Sequence, residues 1–314
     1  MKPDCSIVIR AYNEENHIGR LLTGILEQSL RKVQVILVDS GSTDATTAVA
    51  AGYPVEVVHI KPQDFTFGRS LNLGLAQARA EKVVIASAHV YPVYPDWLER
   101  LLEPFADDQV AVTYGKQRGA ASSKYSEHQL FRRWFPEHST LRQAHPFSNN
   151  ANAAIRRAVW ERQPYDEALP GLEDLAWTHK AQELGFAVAY VAEAEVVHIH
   201  NETWPGIYNR YRREGMAFKK IYPQETFGFT DFIRLWLVNV WSDWRAAAAE
   251  GALRSEWSSI IRFRLMQFLG TYQGYRQSGP LTWHLRQTFY YPRLKGELEG
   301  VASKRTVQPI NYEG

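Results

Sequence analysis

Two adjacent acids, Glu173 and Asp174, follow a Pro-Gly turn and open a predicted helix that runs to Gly185. Carboxylates are common in the first turn of a helix because they complement the positive end of the helix dipole. A carboxylate held in a cleft can also act as a general base that takes a proton from a hydroxyl group. The residue types alone favour the first role, so the choice depends on the surroundings of the pair.

A third acid, Asp39, ends the apolar run Val35–Val38. Small turn residues then lead to a predicted helix with Thr43 as its N-cap and Asp44 in its first turn. Ligands of open α/β sheets bind beyond the carboxyl ends of the strands, which is where Asp39 lies. Because Asp is also common in turns, both ligand binding and backbone capping stay open for this residue.

Three histidines lie near predicted strand ends. His89 follows the apolar run that ends at Ala88, and His198 and His200 share one face of a later strand because side chains repeat every two residues. A single histidine after a strand is usually a polar loop residue. Neutral imidazole can bind a metal ion, whereas imidazolium can pair with an anion.

The elements that must position these residues alternate between strand and helix. Strands are predicted at 5–11, 33–38, 55–60 and 82–88, and helices at 14–29, 43–51 and 69–80. This alternation predicts an α/β fold with a parallel sheet covered on both faces. No Gly-x-Gly-x-x-Gly follows the first strand, which disfavours a dinucleotide-binding domain.

The middle of the chain is less regular. We predict an amphipathic helix over 97–105, a short strand over 110–115, and strands over 186–191 and 194–200. Residues 116–145 are polar and weakly periodic, and long loops inside compact domains are commonly functional. We therefore expect this segment to be a flap or an acceptor-side segment.

Residues 6–15 and 35–39 together resemble the start of the inverting family 2 glycosyltransferases, which have the GT-A fold. The resemblance implies that Ala11, Tyr12, Glu14 and Asp39 hold the nucleotide of a sugar-nucleotide donor. Arg10 stands where many members have Pro, and Asp39-Ser40-Gly41 replaces Asp-Asp-Gly. Both variants look most like the rhamnosyltransferase-like branch, which suggests dTDP-rhamnose as the donor.

The segment from Phe65 to Gly74 resembles the family's Gly-x-x-x-Asn-x-Gly helix, which borders the donor pocket. On this resemblance Gly68, Arg69 and Asn72 contact the donor. Gly68 is expected to allow a positive φ, and Arg69 or Ser70 to open the helix. The guanidinium of Arg69 could meet a phosphate or lie in solvent.

The family's metal-binding Asp-x-Asp motif is replaced here by Ser87, Ala88 and His89. His198 or His200 resembles the late histidine that completes metal or diphosphate binding in GT-A enzymes. We expect the three histidines to lie at the diphosphate. The site could bind a divalent metal such as Mn²⁺ or Mg²⁺, or work without one, because Mg²⁺ and Mn²⁺ favour oxygen ligands.

The pair Glu173-Asp174 matches the family's Glu-Asp motif, whose acid is the general base. A departing diphosphate needs charge stabilisation and no proton, so one base is sufficient. We assign that role to Asp174 and a positioning role to Glu173, although the two could be exchanged. Residues 146–152 resemble the segment that lines the sugar pocket, and an Arg between Arg210 and Lys220 could offset leaving-group charge.

Composition narrows the class of protein. The net charge of +2 argues against a dedicated nucleic-acid binder. The single cysteine, Cys5, fits a reducing compartment and lies at a strand start, where we expect a buried thiol. The first strand follows the N-terminus at once, and no apolar run is long enough to span a membrane. A cytoplasmic protein, or one at the inner face of a membrane, is expected.

We predict a GT-A domain over 1–202, a helical extension over 203–300 and a loosely held tail over 301–314. Two amphipathic stripes in the extension could contact a membrane surface or a second copy of the chain. The expected reaction moves a sugar, with inversion, from a nucleoside-diphosphate donor to a hydroxyl of a glycan or lipid-linked glycan. The alternatives are a non-catalytic sugar- or nucleotide-binding protein of the same fold and a nucleotidyltransferase.

Overall fold

A computed structural model describes residues 2–276 and 307–312. The strands are β1 Cys5–Ala11, β2 Val33–Asp39, β3 Val55–His59, β4 Lys82–Ser87, β5 Val90–Pro92, β6 Val110–Gly119, β7 Asn152–Arg156 and β8 Ala187–His198. The helices are α1 Ile18–Leu26, α2 Thr46–Ala50, α3 Phe67–Gln77, α4 Trp97–Leu102, α5 Tyr125–Trp134, α6 Arg157–Arg162, α7 Glu173–Glu183, α8 Trp204–Ile221, α9 Phe229–Ala249 and α10 Leu253–Tyr275.

The strands form one mixed sheet in the order β3-β2-β1-β4-β7-β6-β8-β5. The first four in this order pair in parallel, which confirms the prediction for the N-terminal half. The apolar runs of β1, β2 and β4 are buried on both faces, and Ile9, Ile36 and Ile85 have no exposed surface, whereas the outer strand β3 is largely exposed. Cys5 is buried too, as predicted.

Strand β7 reverses direction and pairs antiparallel to both β4 and β6, whereas β8 runs parallel to β6. The carboxyl ends of β1, β2, β4 and β8 therefore meet the start of β7 at one edge of the sheet. Asn152 at the start of β7 lies opposite Ala86 near the end of β4. This reversal brings the loop before β7 to the same edge as the histidines.

Three helix starts differ from the predictions. Helix α1 begins at Ile18 and not at residue 14. Helix α2 begins at Thr46 and not after Thr43, because the Asp44 carboxylate accepts from the Thr46 N–H, 3.0 Å away. Helix α3 begins at Phe67, where Thr66 is the N-cap and its hydroxyl accepts from the Arg69 N–H.

The segment over 116–145, predicted as a loop, contains two regular elements. Strand β6 continues to Gly119, and α5 follows from Tyr125 to Trp134. The two strands predicted over 186–191 and 194–200 are one strand, β8, which ends at His198. Polar residues on a strand that is partly covered by a helix hide the alternation that would have indicated these elements.

The C-terminal helices share cores with the α/β part of the chain. Leu175 of α7 packs in one cluster with Phe218 and Phe268. Leu130 of α5 packs with Tyr211 and Phe263 in another. The predicted domain boundary near residue 202 stays a prediction. Residues 277–306, which belong to the predicted helical extension and tail, lie outside the described residues.

The amphipathic stripe predicted for α9 is only partly buried. Phe232 and Val240 are buried, but Phe229 and Leu237 are exposed, as is Trp241. In the described part of the chain no helix combines the length and apolarity that a membrane crossing requires.

The described part of the tail is held against the sheet, contrary to the expectation of a loose tail. The Ile310 N–H donates to the Val93 carbonyl at 2.9 Å, and the Tyr312 hydroxyl donates to the Pro92 carbonyl at 2.6 Å. Tyr312 also meets the Tyr91 ring edge to face. Residues 307–312 therefore lie along β5, the outer strand of the sheet.

Candidate active site

The two acids at the start of α7 have different surroundings. Glu173 is buried and bound to the Arg10 guanidinium at 2.9 Å. Asp174 has no ion pair within the described residues, and its carboxylate accepts from the backbone N–H groups of Asn150, at 3.2 Å, and Leu175, at 2.8 Å. Leu172, which precedes the helix, has a φ of 54°, in the left-handed region. Glu173 is thus held by the Arg10 cation, whereas Asp174 faces the cleft.

Asp174 holds its proton more tightly than an ordinary aspartate. Burial raises its pKa to about 7, and the nearby Glu173 charge adds to the increase, whereas its backbone hydrogen bonds and Arg10 oppose it. A carboxyl with a pKa close to neutrality suits proton abstraction from a hydroxyl group. The geometry thus distinguishes between two acids that the sequence left interchangeable.

The three predicted histidines form one cluster. The rings of His89 and His198 stack with their centroids 5.1 Å apart, and those of His198 and His200 lie 4.0 Å apart. One ligand atom from each residue lies within 4.8 Å of the others. The structure therefore brings together residues more than one hundred positions apart in the chain.

Each ring in the cluster is oriented through its Nδ1 by an oxygen atom 2.7 Å away: Glu14 binds His89, Gln117 binds His198, and Glu127 binds His200. Metal-binding histidines commonly use their second ring nitrogen in this way, which fixes the tautomer.

The Nε2 atom of buried His198 has no hydrogen-bond partner among the described residues. Burial, assisted by the charges of His200 and His89, holds the pKa of His198 well below its usual range, so its ring is neutral. Three oriented imidazoles suit Zn²⁺ better than Mg²⁺ or Mn²⁺, which favour oxygen ligands. Glu127 also stays ionised. Burial opposes its charge, but His200 and Arg210 outweigh burial and lower its pKa to about 2.

An open cleft of about 430 Å³ lies beside the histidines. Asp174 and Ser87 line it together with the predicted residue Glu14. Three arginines also line it, Arg10, Arg210 and Arg213. The guanidinium groups of Arg10 and Arg213 lie 5.1 and 4.8 Å from the centroid of the Phe67 ring. Arg213 is exposed and has no carboxylate within ion-pair distance in the described residues. The cleft therefore offers positive charge to an anionic ligand.

The first two loops of the chain hold each other. The Asn13 amide oxygen accepts from the Thr43 N–H, and the Asn13 N–H donates to the Ser42 hydroxyl. Asn13 has a φ of 55°, which Asn tolerates better than most residues. The buried Asp39 carboxylate accepts from the N–H groups of Gly41 and Ser42, at 3.3 and 3.1 Å.

Several residues predicted to bind the donor have structural tasks. The Asn72 side-chain N–H groups donate to the Tyr165 carbonyl and to the Glu167 carboxylate. The Asn72 side-chain oxygen accepts from the Tyr165 N–H and the Trp160 indole N–H. All donors and acceptors of this side chain are therefore in use. Gly68 does not have the expected positive φ; a Cβ there would lie 2.5 Å from the Asp166 carbonyl oxygen. The physical requirement at Gly68 is close packing and not backbone conformation.

The remaining predicted contacts lie around the cleft without lining it. Tyr12 is 56% exposed, and Arg69 is exposed at the start of α3. Ala11 and Ala88 are buried at the ends of β1 and β4. The Ala11 carbonyl accepts from the Ser40 N–H at 3.0 Å, which links the first two loops.

The basic segment is largely neutralised within the protein. Arg210 pairs with Glu127 and Glu202, at 2.8 and 2.6 Å. Lys219 and Lys220 donate to backbone carbonyl groups. Of the cations in this segment that line the cleft, Arg213 is left as the one available to an anionic ligand.

Sequence reasoning missed the residues that orient the histidines from the far wall. Gln117 lies on the unpredicted end of β6, and Glu127 lies on the unpredicted helix α5. No motif marks either residue. By contrast, Asn149 and Asn150 do line the cleft, as expected for residues 146–152.

Comparison with known proteins places the chain in context. The model of the family described as "Glycosyl transferase family 2" matches residues 6–163, half of the chain. The O-antigen chain rhamnosyltransferase RfbN of Salmonella typhimurium is 27% identical over 224 residues, which cover 67% of this chain and 71% of that protein. WbaN of Salmonella anatum, also an O-antigen chain rhamnosyltransferase, is 27% identical over 227 residues, 68% of this chain and 72% of that protein.

A solved structure shares the fold. The mannosyltransferase PcManGT from Pyrobaculum calidifontis, in complex with GDP-Man and Mn²⁺, superposes with a TM-score of 0.58 at 21% identity and covers 88% of this chain and 85% of that one. The predicted GT-A fold, with its C-terminal helical region, is therefore confirmed.

Proposed function

Because the chain belongs to glycosyl transferase family 2, we propose that it transfers a sugar, with inversion, from a nucleoside-diphosphate sugar to a hydroxyl of a glycan or lipid-linked glycan. One observation carries the proposal: the Asp174 carboxyl faces the cleft without a cation partner in the described residues and has a pKa near 7. That is the state expected of a general base for a hydroxyl nucleophile.

Asp174 takes the proton of the acceptor hydroxyl, and Glu173 acts as a positioning residue through Arg10. Exchanging the two acids would require breaking the Glu173–Arg10 pair at 2.9 Å. The buried charge of Glu173 also helps to raise the pKa of its neighbour. The pair therefore divides into a base and the group that tunes it.

The donor is proposed to be dTDP-rhamnose. The names of the two rhamnosyltransferase relatives support the sugar. The linked loops that carry Tyr12 and Asp39 are proposed to hold the nucleoside, and Glu14, Ser87 and Arg213 to border the diphosphate.

His89, His198 and His200 would hold a divalent metal at the diphosphate. When bound, that ion would offset the negative charge of the departing diphosphate. Glu14, Gln117 and Glu127 keep the three rings oriented, and Arg213 adds positive charge from the exposed side of the cleft. The PcManGT complex, which contains Mn²⁺ together with GDP-Man, supports this choice.

We place the reaction in the cytoplasm, at the inner face of the membrane if the acceptor is lipid-linked. The exposed Leu237, Val238 and Trp241 of α9 would supply a membrane or dimer contact.

A non-catalytic protein of this fold is the second candidate, motivated by the missing Asp-x-Asp motif. The raised pKa of Asp174 argues against it, because a purely structural acid gains nothing from a buried, unpaired charge. A nucleotidyltransferase is disfavoured by the missing glycine-rich phosphate loop.

A donor screen tests the proposal. The protein is incubated with dTDP-, UDP- and GDP-sugars in the presence of Mn²⁺ or Zn²⁺, and products are detected by mass. Hydrolysis or transfer with dTDP-rhamnose is expected, and NMR of a transferred product should show inverted anomeric configuration. Binding without turnover of every donor would favour the non-catalytic alternative.

A further inference from the structure

A second cavity adjoins the open cleft at Asp174. It has a volume of about 160 Å³. Since one water needs roughly 10–15 Å³ of such space, the cavity has room for a single sugar ring and not for an oligosaccharide. It shares Asp174, His198, His200 and Arg210 with the cleft, so the two spaces meet at the proposed base.

One wall of this cavity is aromatic. It consists of Phe131, Trp134 and Phe135 from the end of α5 together with Phe147. The Trp134 and Phe147 rings lie 6.0 Å apart, and the Phe135 and Phe147 rings also lie 6.0 Å apart. A pyranose ring has an apolar C–H face that packs on such surfaces, while its hydroxyl groups point outward.

The cavity also contains unpartnered polar atoms. Gln117 Nε2 and Trp134 Nε1 are buried and have no hydrogen-bond partner among the described residues. Both are donors only. Carboxylates of Asp174, Glu127 and Glu214 also line the space and accept hydrogen bonds. Hydroxyl groups, which donate and accept, match this mixture.

The charge of the cavity disfavours an anionic ligand. Its single arginine, Arg210, is bound to Glu127 and Glu202, at 2.8 and 2.6 Å. Glu214 has no ion pair within the described residues, and burial raises its pKa to about 7 despite the opposing charges of Arg210 and Arg213. The metal proposed at His198 and His200 would be occupied by the donor diphosphate, so a phosphate or carboxylate here would meet acids without a free cation.

We propose that this cavity is the acceptor subsite and takes one uncharged pyranose ring of the acceptor. The inference rests on the proposed glycosyl transfer and adds its acceptor class. The acceptor O–H gives its proton to an Asp174 oxygen, and its oxygen forms the bond to the anomeric carbon. The bond from that carbon to the diphosphate oxygen breaks, and its electron pair leaves with the diphosphate.

The test uses methyl pyranosides as acceptors, with the nucleotide sugar that the donor screen identifies. Their hexose 6-phosphates serve as anionic counterparts. We expect transfer to at least one methyl pyranoside and a kcat/KM at least about tenfold lower for its phosphate, as expected when one charge lacks a partner. Equal or better use of the phosphate would overturn the charge argument.

Trp134→Phe keeps the aromatic wall and removes one donor. It should raise the acceptor KM about 2- to 10-fold, the range of one hydrogen bond, with the donor Kd unchanged. Trp257→Phe, at an exposed tryptophan of α10, is the matched control and should behave as wild type. Phe147→Leu, a second variant that opens the aromatic wall, should also raise the acceptor KM.

Saturation-transfer NMR with the same methyl pyranosides separates this proposal from the proposed function. Signals that weaken in Trp134→Phe but not in Trp257→Phe support the subsite. If the donor is hydrolysed but no pyranoside binds, the subsite is overturned while the transferase proposal stands. Equal effects of Trp134→Phe and Trp257→Phe would also overturn it.

Discussion

The cleft and the cavity that meet at Asp174 differ in the charges they leave unbound. In the cleft the exposed Arg213 has no carboxylate within ion-pair distance in the described residues. In the cavity two acids, Asp174 and Glu214, have no ion pair in the described residues and lie beside an aromatic wall. In the proposed reaction, the departing anion and the attacking neutral hydroxyl need these opposite surroundings. On that proposal the site separates its two substrates by charge, with Asp174 at the boundary.

Replacing the base should have the largest effect, because it removes the group that both spaces share. Asp174→Asn should lower turnover by about 10² or more, the usual scale for a positioned base. Donor affinity, measured by calorimetry, should change little. Glu183→Gln, at the exposed end of the same helix, is the control. Near-normal turnover in Asp174→Asn would show that the boundary between the two spaces is not where the chemistry happens.

The cleft side can be tested through its proposed metal site. His198→Ala should weaken Mn²⁺ or Zn²⁺ binding by at least about 10- to 100-fold, since even the residues that orient metal ligands have effects of that size. Equilibrium dialysis measures this without relying on activity. His138→Ala, at a half-buried histidine outside the cluster, should bind metal as the wild type does. Equal metal binding by the two variants contradicts the site.

A smaller effect is expected at the nucleoside end of the cleft. Asp39→Ala should weaken binding of the diphosphate nucleotide by roughly 1–3 kcal/mol, through loss of a charged hydrogen-bond acceptor and of the loop it holds. Calorimetry with dTDP checks the prediction. Unchanged affinity would mean that Asp39 only caps Gly41 and Ser42.

The pH dependence should be the mildest effect. With a pKa of about 7, the Asp174 base is mostly protonated at pH 6 and mostly ionised at pH 8. Since the base acts when ionised, turnover at saturating donor and metal should rise about tenfold over this range. The rate at each pH is compared with donor binding at the same pH. A flat profile would argue that Asp174 keeps an ordinary carboxyl pKa.

Much of the fold and half of the site were predictable from the sequence. Apolar runs correctly indicated β1, β2 and β4. The motif positions indicated Glu173-Asp174 and the three histidines, and the structure places Asp174 and the histidines around one cleft. Gln117 and Glu127 were not predictable, because each acts through a single histidine more than seventy positions away. The packing role of Asn72 was not predictable either, because an amide that packs two loops has the same residue type as one that binds a sugar.

The docked tail has a consequence for the protein's solution behaviour. Strand β5 is the last strand of the sheet, and such an edge presents backbone groups that can pair with another chain. Ile310 and Tyr312 occupy the carbonyl groups of Val93 and Pro92 at this edge. Residues 310–312 thereby cover part of this edge, and we expect them to limit the pairing of β5 with a strand of another chain.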